Sequence, residues 1–329
     1  MKRYLGVDGG GSKTRFLLID EAGQVLGAHT DGPAYHPEIG LESLEKMVAR
    51  GIERTLQQGS IAPSSVTFAF LGLPAYGEDR ALQPRLDAVP AAALPRGRYR
   101  CGNDMVCGWA GALAGADGIN IVAGTGSIAY GEYEGCSARA GGWGELFSDE
   151  GSAYWLAREG LRLFSRMSDG RSPRGALHGI LRRHFGLEDD LDLCAALYGK
   201  STSQRSQLAQ LSRLVAEAAS AGDTAARALF TQAATELADI VDAVRDRLQV
   251  PADLDLPLSC SGGLFQLGEL LLAPFEAAVN GGARRYRLAS ARLPPDAGAA
   301  LYAAKLAGTP LAAESIATLE AQLTATTGD

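Results

Sequence analysis

The sequence predicts an α/β protein built from two duplicated halves. Residues 5–30 have the pattern of a strand, a glycine turn, a second strand, a polar turn and a third strand. A strand, a glycine turn, a second strand and a turn recur from residue 119, which indicates an internal duplication. Strand and helix patterns alternate along the rest of the chain, as is typical of the α/β class. A length of 329 residues suits two domains, and we place them at residues 1–117 and 118–329.

The first half opens on a glycine turn. In "GVDGGGSKT", an apolar strand ends at Gly9, Gly10 and Gly11, and Ser12 follows. This segment nearly matches a P-loop, but "TRFLLID" after it has the pattern of a strand, whereas a P-loop leads into a helix. We therefore expect a hairpin turn whose backbone N–H groups and Ser12 hydroxyl donate to phosphate. Asp8 beside the turn is a candidate ligand for Mg²⁺, although an aspartate there can also simply cap the turn.

The first half continues through a helix and two strands to a second carboxylate. Apolar residues recur at helical spacing in residues 41–60, and "SSVTFAFLGL" has the pattern of a strand. "RYRCGND" predicts a short strand that ends at Asn103 and Asp104, followed by a helix of small residues. Asp104 is a candidate general base for a substrate hydroxyl. Asn103 and Asp104 can also cap that helix, and capping does not exclude catalysis.

The second half repeats the strand, glycine turn and strand in "INIVAGTGSIAYGEYEG". Its turn consists of Gly124, Thr125, Gly126 and Ser127. "LPLSCSGG" predicts a later strand that ends in a third glycine turn, at Gly262 and Gly263. A single glycine turn is usually structural, but three of them, two at matching points of a duplication, favour phosphate binding.

Helices are predicted for much of the remaining chain. One runs from about residue 150 to 167 with Ser148 or Asp149 as its cap, and helical periodicity covers residues 203–248. A closing helix follows at about residues 296–308. It belongs to the second half in sequence, and it can pack back on the first domain.

Composition and charge exclude several function classes. The net charge of −7 disfavours nucleic acid or an anionic membrane as the main partner. No apolar run is long enough for a signal peptide or a membrane span. The five cysteines are scattered without a metal-binding spacing, so we expect free thiols and a cytoplasmic location.

The stretch "GGWGELFSDEGSAYW" is the densest polar and aromatic segment of the chain. An indole such as that of Trp143 can pack on a sugar ring, and the carboxylates of Asp149 and Glu150 can accept hydrogen bonds from sugar hydroxyls. The segment can also be a loop with a helix cap, which explains Asp149 but not the glycines around Trp143. We therefore expect a polyhydroxylated ligand here.

These motifs together resemble a known superfamily. A duplicated βββαβα arrangement with "DGGGSKT", "GTGS" and "SGG" resembles the actin, Hsp70 and sugar kinase superfamily. Within it, "GGWGELFSDEGSAYWLAREGL" is similar to the N-acetylglucosamine kinase branch of the BadF-type ATPases (BadF/BadG/BcrA/BcrD), and the similarity covers essentially the whole chain. The resemblance implies two ribonuclease H-like, actin-like ATPase domains of βββαβαβα type around a central cleft. It also implies ATP-dependent phosphorylation of the 6-hydroxyl of an amino sugar, N-acetylglucosamine or glucosamine, with Mg²⁺.

The resemblance also implies roles for individual residues. Asp104 falls at the position of the catalytic base, and Asp8 falls near the metal. The positions assigned to ATP are Gly9, Gly10, Gly11, Ser12, Gly124, Thr125, Gly126, Ser127, Ala218, Gly262 and Gly263. The positions assigned to the sugar are Tyr35, Tyr76, Asn103, Asp104, Gly142, Trp143, Gly144 and Asp149. Family members often form homodimers, so a homodimer is a further expectation.

The chain departs from the family pattern at the sugar. Tyr35 stands where the family usually has an asparagine, and Pro74 and Tyr76 stand where it tends to have serine or glycine. Two tyrosines in place of small polar groups reshape the expected pocket. The sequence therefore leaves the sugar open between N-acetylglucosamine, glucosamine and another hexose derivative. The alternative is that both tyrosines point away from an ordinary pocket.

Two other functions are compatible with the superfamily. A dehydratase activase uses an iron–sulfur cluster shared across a dimer, and this chain lacks a cysteine in the glycine-flanked position that the activases use. A non-catalytic sugar- or nucleotide-binding regulator would lack Asp8, Asp104 or the second glycine turn, and all three are present. The kinase interpretation is therefore favoured.

Overall fold

The computed structural model describes residues 1–198 and 205–326. The chain divides into two units, of which the first comprises Met1–Asp117 with Ser290–Asp329 and the second comprises Gly118–Ala289. Residues 290–329, which the sequence assigned to the second domain, therefore belong to the first unit together with the closing helix.

The first unit is a sheet with helices on both of its faces. Its strands are β1 (Arg3–Gly9), β2 (Thr14–Asp20), β3 (Val25–Asp31), β4 (Phe68–Leu73) and β5 (Tyr99–Asn103). Its helices up to residue 117 are α1 (His36–Ile39), α2 (Leu41–Gln58), α3 (Gln83–Ala88) and α4 (Met105–Ala112). The strand order is β3-β2-β1-β4-β5, in which β1, β2 and β3 are antiparallel and β1, β4 and β5 are parallel.

The second unit contains the other sheet and a longer helical segment. Its strands are β6 (Gly118–Ala123), β7 (Ser127–Tyr133), β8 (Cys136–Gly141), β9 (Asp255–Ser261) and β10 (Arg285–Ala289). Its helices are α5 (Ala153–Ser168), α6 (Ala176–Phe185), α7 (Asp192–Tyr198), α8 (Arg205–Gln210), α9 (Ser212–Ser220), α10 (Thr224–Arg247) and α11 (Glu269–Val279). The chain then completes the first unit with α12 (Pro295–Leu306) and α13 (Ala313–Thr326).

The two sheets have the same topology. The second sheet has the order β10-β9-β6-β7-β8, so each strand from β1 to β5 has its counterpart five strands later. The pairing directions also match, with an antiparallel three-stranded meander extended by two parallel strands. The predicted duplicated α/β fold is therefore confirmed.

Both glycine turns close the first hairpin of their sheet. In the first turn the Gly10 N–H donates to the Lys13 carbonyl at 3.0 Å, and in the second the Gly124 N–H donates to the Gly126 carbonyl at 2.9 Å. Each turn leads into a strand, β2 or β7, and not into a helix. The first turn is therefore a hairpin turn and not a P-loop, as its sequence predicted.

The two faces of the first sheet pack on different helices. Gly51 of α2 lies against the Phe16 ring on one face. On the other face, an added Cβ at Gly6 would collide with the Asp296 carbonyl and the Ala300 N–H of α12. β1 and α12 therefore touch backbone to backbone, which only glycine permits at this position. This contact places the first turn of α12 beside β1.

One helix boundary differs from the prediction. α5 begins at Ala153, and its cap is Ser152, whose Oγ accepts a hydrogen bond from the Trp155 N–H at 3.1 Å. Ser148 and Asp149 lie in the preceding loop, and Asp149 has a left-handed φ of 62°, so neither residue caps the helix.

The helical segment predicted at residues 203–248 forms α8, α9 and α10, while residues 203 and 204 lie outside the described residues. The sequence made no prediction for β8, α6, α7 or α13. Within residues 1–198 and 205–326, we find no helix whose length and apolar character would allow it to cross a membrane.

Candidate active site

Four of the predicted site residues lie at the carboxyl ends of parallel strands, the edge at which open α/β sheets bind ligands. In the first unit, Asp8 lies near the end of β1 and Asp104 directly follows β5. In the second unit, Gly124 follows β6 and Gly262 follows β9. β1 is connected to β5 through parallel pairing, and β6 pairs with β9 in parallel, so within each unit these residues share one edge of the sheet.

The glycines of the first turn have different surroundings. An added Cβ at Gly9 would lie 2.8 Å from the Gly72 carbonyl oxygen of β4 and 3.0 Å from Ala34 Cβ, so packing requires glycine there. At Gly11 no atom lies within 4 Å of such a Cβ, and both Gly11 and Ser12 are exposed. The open side of the turn, at Gly11 and Ser12, is therefore the side that a phosphate can approach.

Asp8 is a half-buried carboxylate in a crowded electrostatic environment. It pairs in register with Arg15 of β2. Burial raises the pKa of Asp8 to about 7, and the carboxylates of Asp104 and Asp296 contribute to the same shift. Arg15 and Lys13 lower this pKa but do not offset the other causes. A bound cation would neutralise a charge that this environment disfavours, so Asp8 is suited to a metal.

The carboxylates near Asp8 fit an Mg²⁺ ion whose other ligands are waters and substrate phosphates. The described residues contain no group of three or more His, Cys, Asp or Glu side chains that could hold a metal ion. Mg²⁺ usually keeps several waters and binds through one or two carboxylates together with substrate phosphates. The buried Oδ1 of Asp296 has no hydrogen-bond partner among the described residues, which leaves it available to a hydrated cation.

The sequence left two roles open for Asn103 and Asp104, namely capping of the helix after β5 and general-base catalysis. The two side chains differ in their contacts. The Asn103 side-chain oxygen accepts a hydrogen bond from the Met105 N–H at 3.1 Å, and its Nδ2 donates to the Tyr76 carbonyl at 3.2 Å. Asp104 occupies the N-cap position of α4, but its side chain does not cap the helix. Burial raises the pKa of Asp104 to about 6, although the backbone N–H groups of Met105 and of Asp104 itself oppose this increase; the charge of Glu78 adds to it. A carboxylate that titrates near neutral pH suits a general base.

Tyr76 is held by hydrogen bonds within the first unit. Its hydroxyl donates to Asp87 Oδ1 at 2.7 Å and accepts from Gln83 Nε2 at 3.3 Å. Its ring packs against the hydrophobic core of this unit. The hydroxyl is therefore already engaged, which favours the alternative in which Tyr76 leaves the sugar pocket ordinary.

Tyr35 lies beside the first glycine turn. The Ala34 N–H donates to the Gly10 carbonyl at 2.9 Å, which ties this segment to the turn. The Tyr35 carbonyl accepts hydrogen bonds from the N–H groups of Glu38 and Ile39 at the start of α1. Tyr35 is half-buried, so its position one residue from the turn contact keeps it a candidate for ligand binding.

The loop before α5 is tied to the second glycine turn. Ser127 Oγ donates to the Glu150 carbonyl at 2.6 Å, and the Ala153 N–H donates to the Gly124 carbonyl at 2.9 Å. Ser127 is buried, so its hydroxyl has a structural role, whereas Thr125 at the tip of the turn is exposed. Thr125 therefore supplies the hydroxyl of this turn that a phosphate can reach.

Gly126 is covered by an ion pair that the sequence did not reveal. An added Cβ at Gly126 would collide with the Arg205 guanidinium and would lie 2.7 Å from Asp149 Oδ1. Arg205 forms a salt bridge with Asp149, whose side chain is only 2% exposed. Burial raises the pKa of Asp149, while the charge of Arg205 opposes this increase. A lone arginine in a helical segment belongs to no motif, so no signal in the sequence pointed to Arg205.

Trp143 is an exposed aromatic residue in the segment that follows β8. Its side chain is 68% exposed, and the Arg139 guanidinium lies over its ring, 5.9 Å from the centroid. The flanking residues Gly142 and Gly144 have left-handed φ angles of 69° and 94°, which form the bends on either side of the indole. The ring is therefore available to pack on a sugar.

The third glycine turn packs against β6. An added Cβ at Gly262 would collide with the Ala123 carbonyl, which also accepts a hydrogen bond from the Leu264 N–H at 3.1 Å. Gly263 is exposed, with no atom within 4 Å of an added Cβ. Ala218, in contrast, is fully buried in the hydrophobic core of the second unit. Its side chain has no exposed surface, so the structure does not favour the predicted assignment of Ala218 to ATP.

Comparisons with known proteins identify relatives that match most of the chain. A family model described as the BadF/BadG/BcrA/BcrD ATPase family matches residues 5–303. An N-acetyl-D-glucosamine kinase of Dictyostelium discoideum is 29% identical in an alignment of 269 residues that covers 79% of this chain and 84% of that protein. An N-acetylmuramic acid/N-acetylglucosamine kinase of Clostridium acetobutylicum is 28% identical, over 85% of this chain and 91% of that protein.

A solved structure supports the fold. A Chromobacterium violaceum protein, described as a candidate N-acetylglucosamine kinase, has a TM-score of 0.68 and 27% sequence identity. The likeness covers 92% of this chain and 98% of that one, so it extends over both sheets. It is consistent with the predicted actin-like architecture of two duplicated domains.

Proposed function

Because the chain belongs to the BadF/BadG/BcrA/BcrD ATPase family, we propose that it is an ATP-dependent kinase for the 6-hydroxyl of an amino sugar. N-acetylglucosamine and glucosamine are the proposed substrates, and the names of the two relatives support an N-acetylated amino sugar. The observation that carries the proposal is Asp104. It is a carboxylate at a strand end whose pKa is raised to about 6 and whose side chain is not used to cap α4.

In the proposed reaction the glycine turns bind the phosphates of ATP. Gly11 and Ser12 of the first turn and Thr125 of the second are exposed, and they offer N–H and hydroxyl donors. Phosphoryl transfer depends on positioning and charge neutralisation more than on covalent chemistry. Mg²⁺, when bound near Asp8 and Asp296, supplies the neutralisation of the phosphate charge.

The sugar is oriented by residues of two kinds. Asp104 accepts the proton of the attacking 6-hydroxyl, which makes that oxygen nucleophilic as the phosphoryl group leaves ATP. Trp143 packs on a face of the sugar ring, and the Asp149 carboxylate accepts hydrogen bonds from ring hydroxyls. Holding the hydroxyl close to the phosphoryl group is itself a large part of such catalysis.

A substrate screen tests this proposal. ADP release would be measured with glucosamine, N-acetylglucosamine, N-acetylmannosamine, N-acetylmuramic acid and glucose, and without any sugar. We expect turnover with N-acetylglucosamine or glucosamine well above the rate without sugar. Coupling between phosphorus and the protons on C6 in the NMR spectrum of the product would identify the 6-phosphate. Equal ATP hydrolysis with and without sugar, or an anomeric phosphate, would contradict the proposal.

A further inference from the structure

The Arg205 side chain lies over the second glycine turn. Arg205 begins α8, 56 residues after Asp149, and its guanidinium pairs with the Asp149 carboxylate next to Gly126. Glu145 Oε2 lies 3.3 Å from Arg205 Nε, so two carboxylates face one cation. An alanine at residue 126 would collide with the guanidinium. The absence of a Cβ at Gly126 therefore leaves room for the guanidinium to lie directly on the turn.

Asp149 connects Arg205 to the backbone of the turn. Its Oδ2 pairs with Arg205, and its Oδ1 accepts a hydrogen bond from the Ser127 N–H at 3.3 Å. A carboxylate can accept about four hydrogen bonds, so these two contacts do not use the full acceptor capacity of Asp149, whose side chain is only 2% exposed. Its left-handed φ of 62° is an uncommon backbone state for a residue with a side chain, and surrounding contacts must hold it.

We propose that Arg205 is a positioning residue that clamps Asp149 onto the second glycine turn. The clamp fixes the Asp149 carboxylate, which is proposed to bind the sugar, and the glycine turn, which is proposed to bind the phosphates of ATP. The effect expected on sugar binding rests on the function proposed above. A typical surface ion pair contributes little, because both groups are hydrated. This pair differs because Asp149 is buried, so removal of Arg205 leaves an unpaired buried carboxylate.

The change Arg205→Gln tests the clamp in the full-length protein. Arg213→Gln is the matched control, because Arg213 is exposed on the neighbouring helix α9. Calorimetry without nucleotide would measure sugar affinity, and fluorescence of mant-ATP with Mg²⁺ would measure nucleotide affinity. We expect Arg205→Gln to weaken sugar binding about tenfold and mant-ATP binding about threefold, as for the loss of one charge-assisted contact. Thermal unfolding would show that each variant is folded.

Two further readouts separate positioning from general stability. The KM for the sugar should rise while kcat at saturation stays nearly unchanged, because the lost interaction holds the substrate equally in ground and transition states. Arg205→Lys keeps the positive charge but loses the planar guanidinium, so its KM for the sugar should lie between that of the parent protein and that of Arg205→Gln. In the Asp149→Asn background, Arg205→Gln should have little further effect, because the two residues act as one unit.

Several outcomes would overturn the clamp. One is that Arg205→Gln binds the sugar and mant-ATP as well as Arg213→Gln does. Another is that Arg205→Gln weakens binding equally in the parent protein and in the Asp149→Asn background. If the sugars are phosphorylated under either outcome, the proposed function stands without the clamp. If instead the protein binds no sugar of the panel while Arg205→Gln still weakens mant-ATP binding through Asp149, the proposed substrate is wrong and the clamp stands.

Discussion

At the scale of single residues, Asp104 determines whether the proposed chemistry is possible. The change Asp104→Asn keeps the size of the side chain but removes its ability to accept a proton. We expect kcat to fall at least ~100-fold, while sugar and nucleotide binding change much less. A coupled ADP assay at saturating substrates would measure kcat, with Asp253→Asn, at an exposed aspartate, as the matched control. Retention of most of the activity would remove Asp104 as the base.

The pH profile of kcat/KM reports the same carboxylate. The pKa of Asp104 is raised to about 6, and the deprotonated form is the base. The rate should therefore rise with pH up to about 6 and then level off. At low Mg²⁺, Asp8, whose pKa is raised to about 7 in the absence of metal, should extend this rise to about pH 7, and saturating Mg²⁺ should remove the extension. A profile that is flat between about pH 5 and about pH 8 would contradict the assignment of a carboxylate base.

Local motifs reveal some of these residues and not others. Asp8 and Asp104 could be placed at strand ends from the sequence, because each closes a short strand before a turn or a helix. Arg205 could not be found in this way, because it meets Asp149 only through the tertiary fold. Ala218 shows a related limit. Helical periodicity identifies the helix, but the surrounding helices decide that this residue faces the core.

At the scale of elements, the contact between β1 and α12 supports the first half of the site. The change Gly6→Ala would drive a methyl group into the α12 backbone at Asp296 and Ala300. We expect the free energy of unfolding to fall by about 1–3 kcal/mol, the usual cost of overpacking. Urea unfolding would measure it, with Gly32→Ala as the control, because nothing lies within 4 Å of an added Cβ there and its φ is not positive. Equal stability of the two variants would contradict this account of Gly6.

The elements differ in how well their sequences predict them. Buried strands such as β1, β4 and β6 have continuous apolar runs, and these were predicted. β8 has the sequence "CSARAG", mostly exposed or half-buried, so its pairing with β7 gives the segment no apolar signature. The start of α5 was placed too early because the preceding loop also contains capping residues. Only the left-handed φ of Asp149 shows that the helix has not yet begun there.

At the scale of the whole molecule, the duplication is stronger in topology than in sequence. The two sheets share their strand order and pairing directions, although their glycine turns share few residues. The hydrogen bond that closes each turn is conserved in position, from Gly10 to Lys13 and from Gly124 to Gly126. The first turn contains one more residue between these partners. The order of strands and turns was therefore predictable, whereas the charged residues differ between the halves and had to be placed by the structure.

The pH dependence of global stability provides a test that needs no substrate. Asp8 has a pKa raised from 3.8 to about 7 by burial and by Asp104 and Asp296, so the folded state binds its proton more tightly than the unfolded state. The contribution of this group to stability is therefore present at low pH and is lost as the pH rises from about 4 to about 7. Asp8→Asn carries no charge to bury. It should be more stable than the parent protein by roughly 1–3 kcal/mol at about pH 8, and the difference should shrink towards zero at about pH 4.

Urea unfolding in the presence of a metal chelator would measure this difference, with Asp253→Asn, at an exposed aspartate, as the control. The Asp253 variant should show no comparable gain in stability, because this side chain is exposed in the folded protein. With Mg²⁺ and ATP the parent protein should become more stable than Asp8→Asn. A ligand stabilises the folded protein more when it binds more tightly, and Asp8→Asn should bind Mg²⁺ and ATP less well. A stability gain for Asp8→Asn that is the same at both pH values would show that burial of the Asp8 charge does not cause it. If Asp8→Asn remained equally more stable than the parent protein after Mg²⁺ and ATP replaced the chelator, Asp8 would not contribute to the binding of Mg²⁺ and ATP. Its charge would then destabilise the fold without binding the metal.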